Sequence, residues 1–263
     1  MKKLACILLA ASLLISCKDD AEDIPDNLPE FPTSTFEMDF SITDSKSGGR
    51  VLTDDNYWGR SAVIVGFWST IATAYTIIPV VSFKAAFNQT PRYDIDLKAW
   101  VWEYDFDGAN NSYSARLEAR VSASGVDWKM LISKSGDFED FVWYTGFSDI
   151  SGTSGTWTLN ADPDDSNPAL QIDWTKNSDG TTKSIKYTNV IPGDDNNGGF
   201  ISFEITDGTD YNRIYTIYNK STDNTINIEW HKENKNGRIK DPAKYQSSDF
   251  FCWDENLDNV ACG

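Results

Sequence analysis

Residues 61–83 (SAVIVGFWSTIATAYTIIPVVSF) run for 23 positions without a charged side chain, and from Asp94 onward the chain alternates with a period of two. These two patterns restrict the fold more than any other feature. A helix of that length would extend about 35 Å, enough to cross a bilayer. Eight of its positions are Ser, Thr, Gly or Pro, which favours a helix that is apolar on nearly all sides because protein covers it on nearly all sides. A membrane span is the alternative, and the many β-branched residues leave buried strands as another. Pro79 has no amide to bond the carbonyl of Tyr75, so a kink is expected there.

Runs rich in β-branched and aromatic residues, bounded by Gly, Asn, Asp or Pro, predict strands over 95–104, 113–122, 127–133, 141–147, 156–160, 170–175, 184–190, 200–206, 213–218 and 225–231. The centres of the later runs lie about 12 to 16 residues apart, as short turns produce. A parallel crossover would need a dozen or more intervening residues and a helix, and none interrupts the series. The predicted fold class is therefore mainly β: an antiparallel up-and-down meander, a curved half-barrel or a barrel, packed around one long N-terminal helix. In outline this resembles the half-barrel-with-helix architecture of bacterial lipoprotein carriers and, more distantly, the lipocalins.

The N-terminus carries a second signal. Lys2 and Lys3 precede an apolar run from Leu4 to Leu14, which ends in Leu14-Ile15-Ser16-Cys17. This resembles the lipobox of bacterial lipoproteins, and the resemblance implies removal of residues 1–16 and acylation of Cys17. Lys18-Asp19-Asp20 is similar to the acidic surface-export signal of Bacteroidota lipoproteins, which implies a lipid anchor in the outer membrane and a place on the cell surface. Residues 17–50 then read as the lipidated cysteine and a disordered tether, whose stretch 18–35 sets Pro25, Pro29 and Pro32 among acids and has no apolar period. Residues 51–263 read as a single β-rich domain with an N-terminal helix. Without residues 1–16 the chain keeps 21 basic residues against 40 acidic ones, a net charge of −19. Nucleic acid is excluded as a partner, because phosphate binding needs a basic surface. Anchoring falls to the lipid, for which several acyl chains suffice and one is marginal.

Of four cysteines, Cys6 leaves with the signal and Cys17 takes the lipid. Cys252 and Cys262 remain, and outside the cytoplasm they are expected to form a disulfide. So short a loop contributes roughly 2 to 3 kcal/mol. No cysteine is left over for catalysis or metal binding.

Few residues single themselves out for chemistry. His231 is the only histidine, and alternation through 226–231 sets it on the solvated face with Asn227 and Glu229, near Glu233. Ser154 lies in Gly152-Thr153-Ser154-Gly155, which lacks the spacing of a nucleophile elbow. The acidic pairs Glu103 with Asp105, Asp137 with Glu139, and Asp254 with Glu255 offer carboxyls for glycoside hydrolysis, but that reaction needs a set separation across a cleft. The turns 162–167 and 194–198 hold oxygen ligands of the kind calcium takes, in residue types that tight turns select anyway. No catalytic residue, metal or cofactor is predicted. Trp100 and Trp102 share a strand face with Tyr104 and form the candidate ligand-binding stripe: exposed, it would stack on sugars; buried, it would pack under the helix.

The function expected is that of a non-enzymatic cell-surface lipoprotein binding an apolar or amphiphilic ligand against aromatic walls inside the curved sheet. Glycan capture by exposed tryptophans and a carboxylate-based glycoside hydrolase are the alternatives.

Overall fold

The computed structural model describes residues 28–44 and 54–263. After a 3-10 turn at Ser41–Thr43 comes the long helix α1 (Tyr57–Ala86). The first seven strands are β1 (Arg92–Asp94), β2 (Ala99–Gly108), β3 (Asn111–Ser122), β4 (Gly125–Lys134), β5 (Phe138–Ser148), β6 (Ser154–Asp162) and β7 (Asp165–Lys176). They are followed by β8 (Thr182–Asn189), β9 (Phe200–Ile205), β10 (Arg213–Asn219), β11 (Asn224–Trp230) and β12 (Gly237–Lys240), the short helix α2 (Pro242–Tyr245), then β13 (Phe251–Trp253) and β14 (Asn259–Val260). All 14 strands form one antiparallel sheet whose spatial order is the sequence order. The sheet is open: β1 and β14 stand at its two margins. The meander is therefore as the sequence predicts, and the half-barrel, not the closed barrel, is the form it takes.

The period-two patterning is satisfied on the concave side. Trp102, Trp128, Tyr144, Trp157, Tyr187, Phe203 and Tyr215 all point into one core and are buried. One predicted strand start moves. Ile95 to Lys98 form a turn between β1 and β2, because the Asp94 carboxylate accepts the Leu97 amide at 3.0 Å and Lys98 takes a positive φ of 52°. The alternation of Ile95 and Leu97 mimics a strand that the Asx-type turn cuts short. Trp143 is half-buried and packs against the core together with Phe138, with Phe141 beside them.

Helix α1 is a 30-residue element capped by Asn56, whose side chain accepts the Gly59 amide at 2.6 Å. It runs unbroken through Pro79, where the Ser82 hydroxyl donates to the Pro79 carbonyl at 3.0 Å. Its N-terminal turn packs on the last strands: the Tyr57 ring lies 5.2 Å from Phe251, and its amide donates to Asn259 Oδ1. Its C-terminal half packs on the first strands, where Tyr104 Oη donates to the Ser82 carbonyl at 2.6 Å. A Cβ on Gly108 would come within 3.3 Å of Ile78, so the β2–β3 turn is fitted to the helix. One helix thus touches both margins of the sheet, which explains why so neutral a segment belongs to the domain. Protein covers Ser61, Ser82, Phe83 and Ala86, while Phe67 and Ile77 are exposed, so the sheet and strap cover the helix on one side and not all round.

The tether predicted over residues 17–50 is shorter than the sequence suggests. Residues 28–44 run through the concavity as an inner strap, with Phe36, Met38 and Ile42 buried. Phe36 stacks on Trp157, and Phe31 meets Trp102 edge-on at 5.1 Å. Strap backbone groups that have no strand partner are taken up by side chains. Tyr187 Oη donates to the Phe36 carbonyl and accepts the Met38 amide, Tyr215 Oη donates to the Asp39 carbonyl, and Trp157 Nε1 donates to Thr35 Oγ1. Phe83 of α1 closes the cluster against Phe31, Phe36 and Trp157 at 5.4 to 5.5 Å. Helix and strap together fill the concave face with packed aromatics. Cys17, the signal and the remainder of the predicted tether lie outside the described residues.

Candidate functional site

With the concavity filled, the apolar surface open to a ligand lies on the side of α1 that the sheet does not cover. Phe67, Thr70, Ile71 and Ala74 recur at helical spacing along that side, and Phe67 is 63% exposed. Trp68 and Tyr75 flank them, and Trp68 is buried as the floor. Ala169 and Leu170 of β7 form the opposing wall, and Asn189, Ile191, Asp194 and Asn196 of the β8–β9 connection form the rim. The groove between them has a volume of about 490 Å³, within the range of small-molecule sites.

Its rim is held rigidly by short hydrogen bonds. Asp194 Oδ1 accepts the Asn196 amide at 2.7 Å and Asn189 Nδ2 at 3.1 Å, while Asn189 Oδ1 accepts the Ile191 amide at 2.9 Å. Asn196 Oδ1 accepts the Lys220 amide, tying the rim to the β10–β11 turn. The arrangement is a hydrophobic trough with a carboxylate and two amides at one lip. Such a lip suits a neutral hydroxyl or a cation and disfavours an anion.

The stripe Trp100, Trp102 and Tyr104 lies on one strand face as predicted and points under the helix. Trp102 is 1% exposed, Trp100 packs edge-on to Tyr93, and Tyr104 is bonded to α1. Trp102 is core, while Trp100 and Tyr104 are half-buried and packed against it. Burial pushes the phenols of Tyr104, Tyr144, Tyr187 and Tyr215 above their ordinary value. They stay protonated, and Tyr104, Tyr187 and Tyr215 serve as hydroxyl donors to backbone carbonyls.

Cys252 and Cys262 are joined in a disulfide, with Cα atoms 5.2 Å apart. The bond pins the β13–β14 margin next to the N-terminus of α1. His231 lies in the β11–β12 turn, where its Nδ1 accepts the Asn234 amide at 3.1 Å and lies 3.3 Å from Glu233. Glu229 is turned away to Arg238 at 2.7 Å. Ser154 donates to Asp149 within a turn and is remote from the histidine's strand. Among the acidic pairs, Glu103 faces Arg92, Asp137 faces Lys134, and Asp254 caps its own turn through the Asn256 and Asp258 amides. In the loops with calcium-type ligands, the Asp162 carboxylate accepts the Asp164 and Asp165 amides, as Asp194 does for Asn196. These carboxylates build turns, and no cluster of three metal-ligating side chains occurs among the described residues.

Sequence reasoning placed the ligand inside the sheet and missed the outer groove. A helix apolar all round gives no marker for its solvent side, so Phe67 and Ile71 could not be told from Trp68 and Ala72. The one available signal was the acidic connection 190–199, too long for a tight turn between β8 and β9. The chain matches no protein-family model, no curated protein and no solved structure.

Proposed function

We propose that this chain is a lipid-anchored protein of the outer-membrane surface, acylated at Cys17, that binds the apolar part of an uncharged or cationic amphiphile in the groove beside α1. The observation that carries the reading is the groove itself: Phe67 and Ile71 of α1 face Leu170 and Ile191 across open space, with Asp194 and Asn196 at the lip. An apolar trough with a few polar groups at its rim is the usual form of a small-molecule site. Binding would remove alkyl surface from water, each methylene contributing about 0.8 kcal/mol. The lip orients the polar end. The excess of acidic residues adds a general preference against anionic ligands.

A homologous series of n-alkanols or alkyl glycosides tests this by calorimetry. Affinity should rise roughly fourfold per methylene until the trough is full, and Phe67→Asp should abolish it. An affinity independent of chain length, or one untouched by Phe67→Asp, would remove the groove from consideration. Glycan capture is not favoured by a stripe in which Trp102 is buried and Trp100 and Tyr104 are half-buried, and no observation favours a hydrolase.

A further inference from the structure

The strand connections alternate between the two ends of the meander, and their exposed apolar residues do not. At one end lie the turns β1–β2, β3–β4, β5–β6, β7–β8, β9–β10 and β11–β12. Ile95 and Leu97 stand out from the first of these and Ile150 from the third, with Ile95 56% and Ile150 55% exposed. At the opposite end, the connections 108–111, 134–138, 162–165, 190–199 and 219–224 carry none of the exposed large hydrophobics found among the described residues.

The turns that carry these side chains are tied to one another along this margin. The Leu97 carbonyl accepts Arg120 near the β3–β4 turn at 3.1 Å, and Gly125 of that turn lies directly against the exposed ring of Phe147. Phe147 is three residues from Ile150. Each apex is held outward by its own acid. Asp94 turns back onto Arg92 and the Leu97 amide, and Asp149 gathers the Thr153 amide with the Ser151, Thr153 and Ser154 hydroxyls. Ile95, Leu97 and Ile150 are therefore presented on braced turns.

The N-terminal strap reaches the domain at this same margin. Glu30 lies 3.8 Å from the position a Cβ on Gly152 would occupy in the β5–β6 turn, Lys176 of β7 reaches Thr33, and Leu28 is 50% exposed. Ten residues separate Leu28 from Cys17, a span of at most about 40 Å when fully extended. A lipid on Cys17 thus places this end of the sheet nearest the point of attachment to the bilayer.

We propose that the margin formed by Leu28, Ile95, Leu97, Phe147 and Ile150 is a membrane-docking surface, which rests on a lipid bilayer with these side chains in its interfacial layer. The inference rests on acylation of Cys17, which puts the bilayer within reach. The chain's net negative charge excludes electrostatic attachment to anionic headgroups, so contact comes from apolar side chains and is insensitive to salt. Docking in this pose points the polar end of the sheet outward and leaves α1 and its groove at the side of the domain.

The test uses the full chain expressed with its signal, extracted, weighed by intact mass spectrometry and reconstituted into phosphatidylcholine vesicles. Single cysteines at Leu97→Cys or Ile150→Cys carry an environment-sensitive fluorophore, and Asn110→Cys and Ser221→Cys report on the opposite end. Blue-shifted emission quenched by nitroxide lipids at positions 97 and 150, absent at 110 and 221 and unchanged in high salt, is the expected result. With Ile95→Asp added, quenching at 150 should fall severalfold while vesicle retention persists. An acylated, vesicle-bound chain whose probe at 150 stays as wet as that at 110 overturns the docking surface and leaves the anchor standing. A mass without acyl chains overturns both.

Discussion

The ring of Phe36 lies stacked on that of Trp157, with centroids 4.8 Å apart and planes 17° from parallel. One belongs to a proline-flanked segment ahead of the domain, and the other to the middle of the sheet. Their contact shows that the concave face of this open meander is finished by chain from outside the sheet. Trp157 is fully buried, as are Tyr144 and Tyr187 beside it. Those rings would face water if the strap were elsewhere.

Removing the strap's anchor should therefore cost as much as removing a residue of the sheet core. Phe36→Ala leaves a cavity among Phe83, Tyr144 and Trp157 and is expected to destabilise the domain by about 3 to 5 kcal/mol in denaturant unfolding. Tyr187→Phe keeps the ring but strands the Phe36 carbonyl and the Met38 amide without their partner. It should cost roughly 1 to 3 kcal/mol. A loss below about 0.5 kcal/mol in both variants would mean that the strap does not contribute to stability.

A second contact fastens the helix to the last strands. Arg60 reaches the fully buried carboxylate of Asp241 through Nε at 3.1 Å and Nη2 at 2.7 Å, and the same side chain accepts Asn224 Nδ2 at 2.9 Å. Asp241→Ala removes the buried acceptor, leaving Arg60 with only its 3.5 Å contact to Asp54 and Asn224 Nδ2 without a partner, and should destabilise by about 1 to 3 kcal/mol. Arg60→Met leaves a fully buried carboxylate without its cation, bonded only to Asn224 and the Lys244 amide, and should cost more, about 3 to 5 kcal/mol. Equal, negligible effects in thermal unfolding would contradict this fastening.

Acid should loosen the β5–β6 turn. Burial raises the Asp149 carboxyl, but the hydrogen bonds from the Thr153 amide and from the Ser154, Thr153 and Ser151 hydroxyls outweigh it and hold the group at about 2. A depressed folded-state pKa contributes stability that is complete above the unfolded value near 4 and is lost as the pH falls through about 2. Asp149→Asn should therefore be less stable than the parent at pH 6, with the gap closing between pH 4 and 2. A gap that stays constant over that range would show that the carboxylate's charge is not what these donors recognise.

Periodicity carried most of the fold. Strands such as Asn224–Trp230 alternate cleanly because one face is core and the other solvent, so their register could be read from residue types. The neutral run after Ser61 revealed a helix by its length but not its sidedness: contacts at both sheet margins bury one side, and Phe67 and Ile77 stand exposed on the other. The strap left only a partial trace. Phe36, Met38, Phe40 and Ile42 alternate with Glu37, Asp39 and Ser41 at a period of two, but the segment pairs with no strand, and Phe31 and Phe36 sit in holes beside Trp102 and Trp157 that exist only after folding. The turn at Ile95 was hidden by its own alternation. The outer groove was hidden because its helical wall and the buried face beside it have the same composition.

Amide hydrogen exchange at Met38 tests the filled concavity most directly. Its N–H donates to Tyr187 Oη at 3.0 Å inside the core, so its exchange should be slowed to the level of the β8 strand amides and should require global unfolding. Exchange at the rate of a free peptide, with β8 still protected, would mean that the concave face is open and that the pocket lies inside the sheet after all.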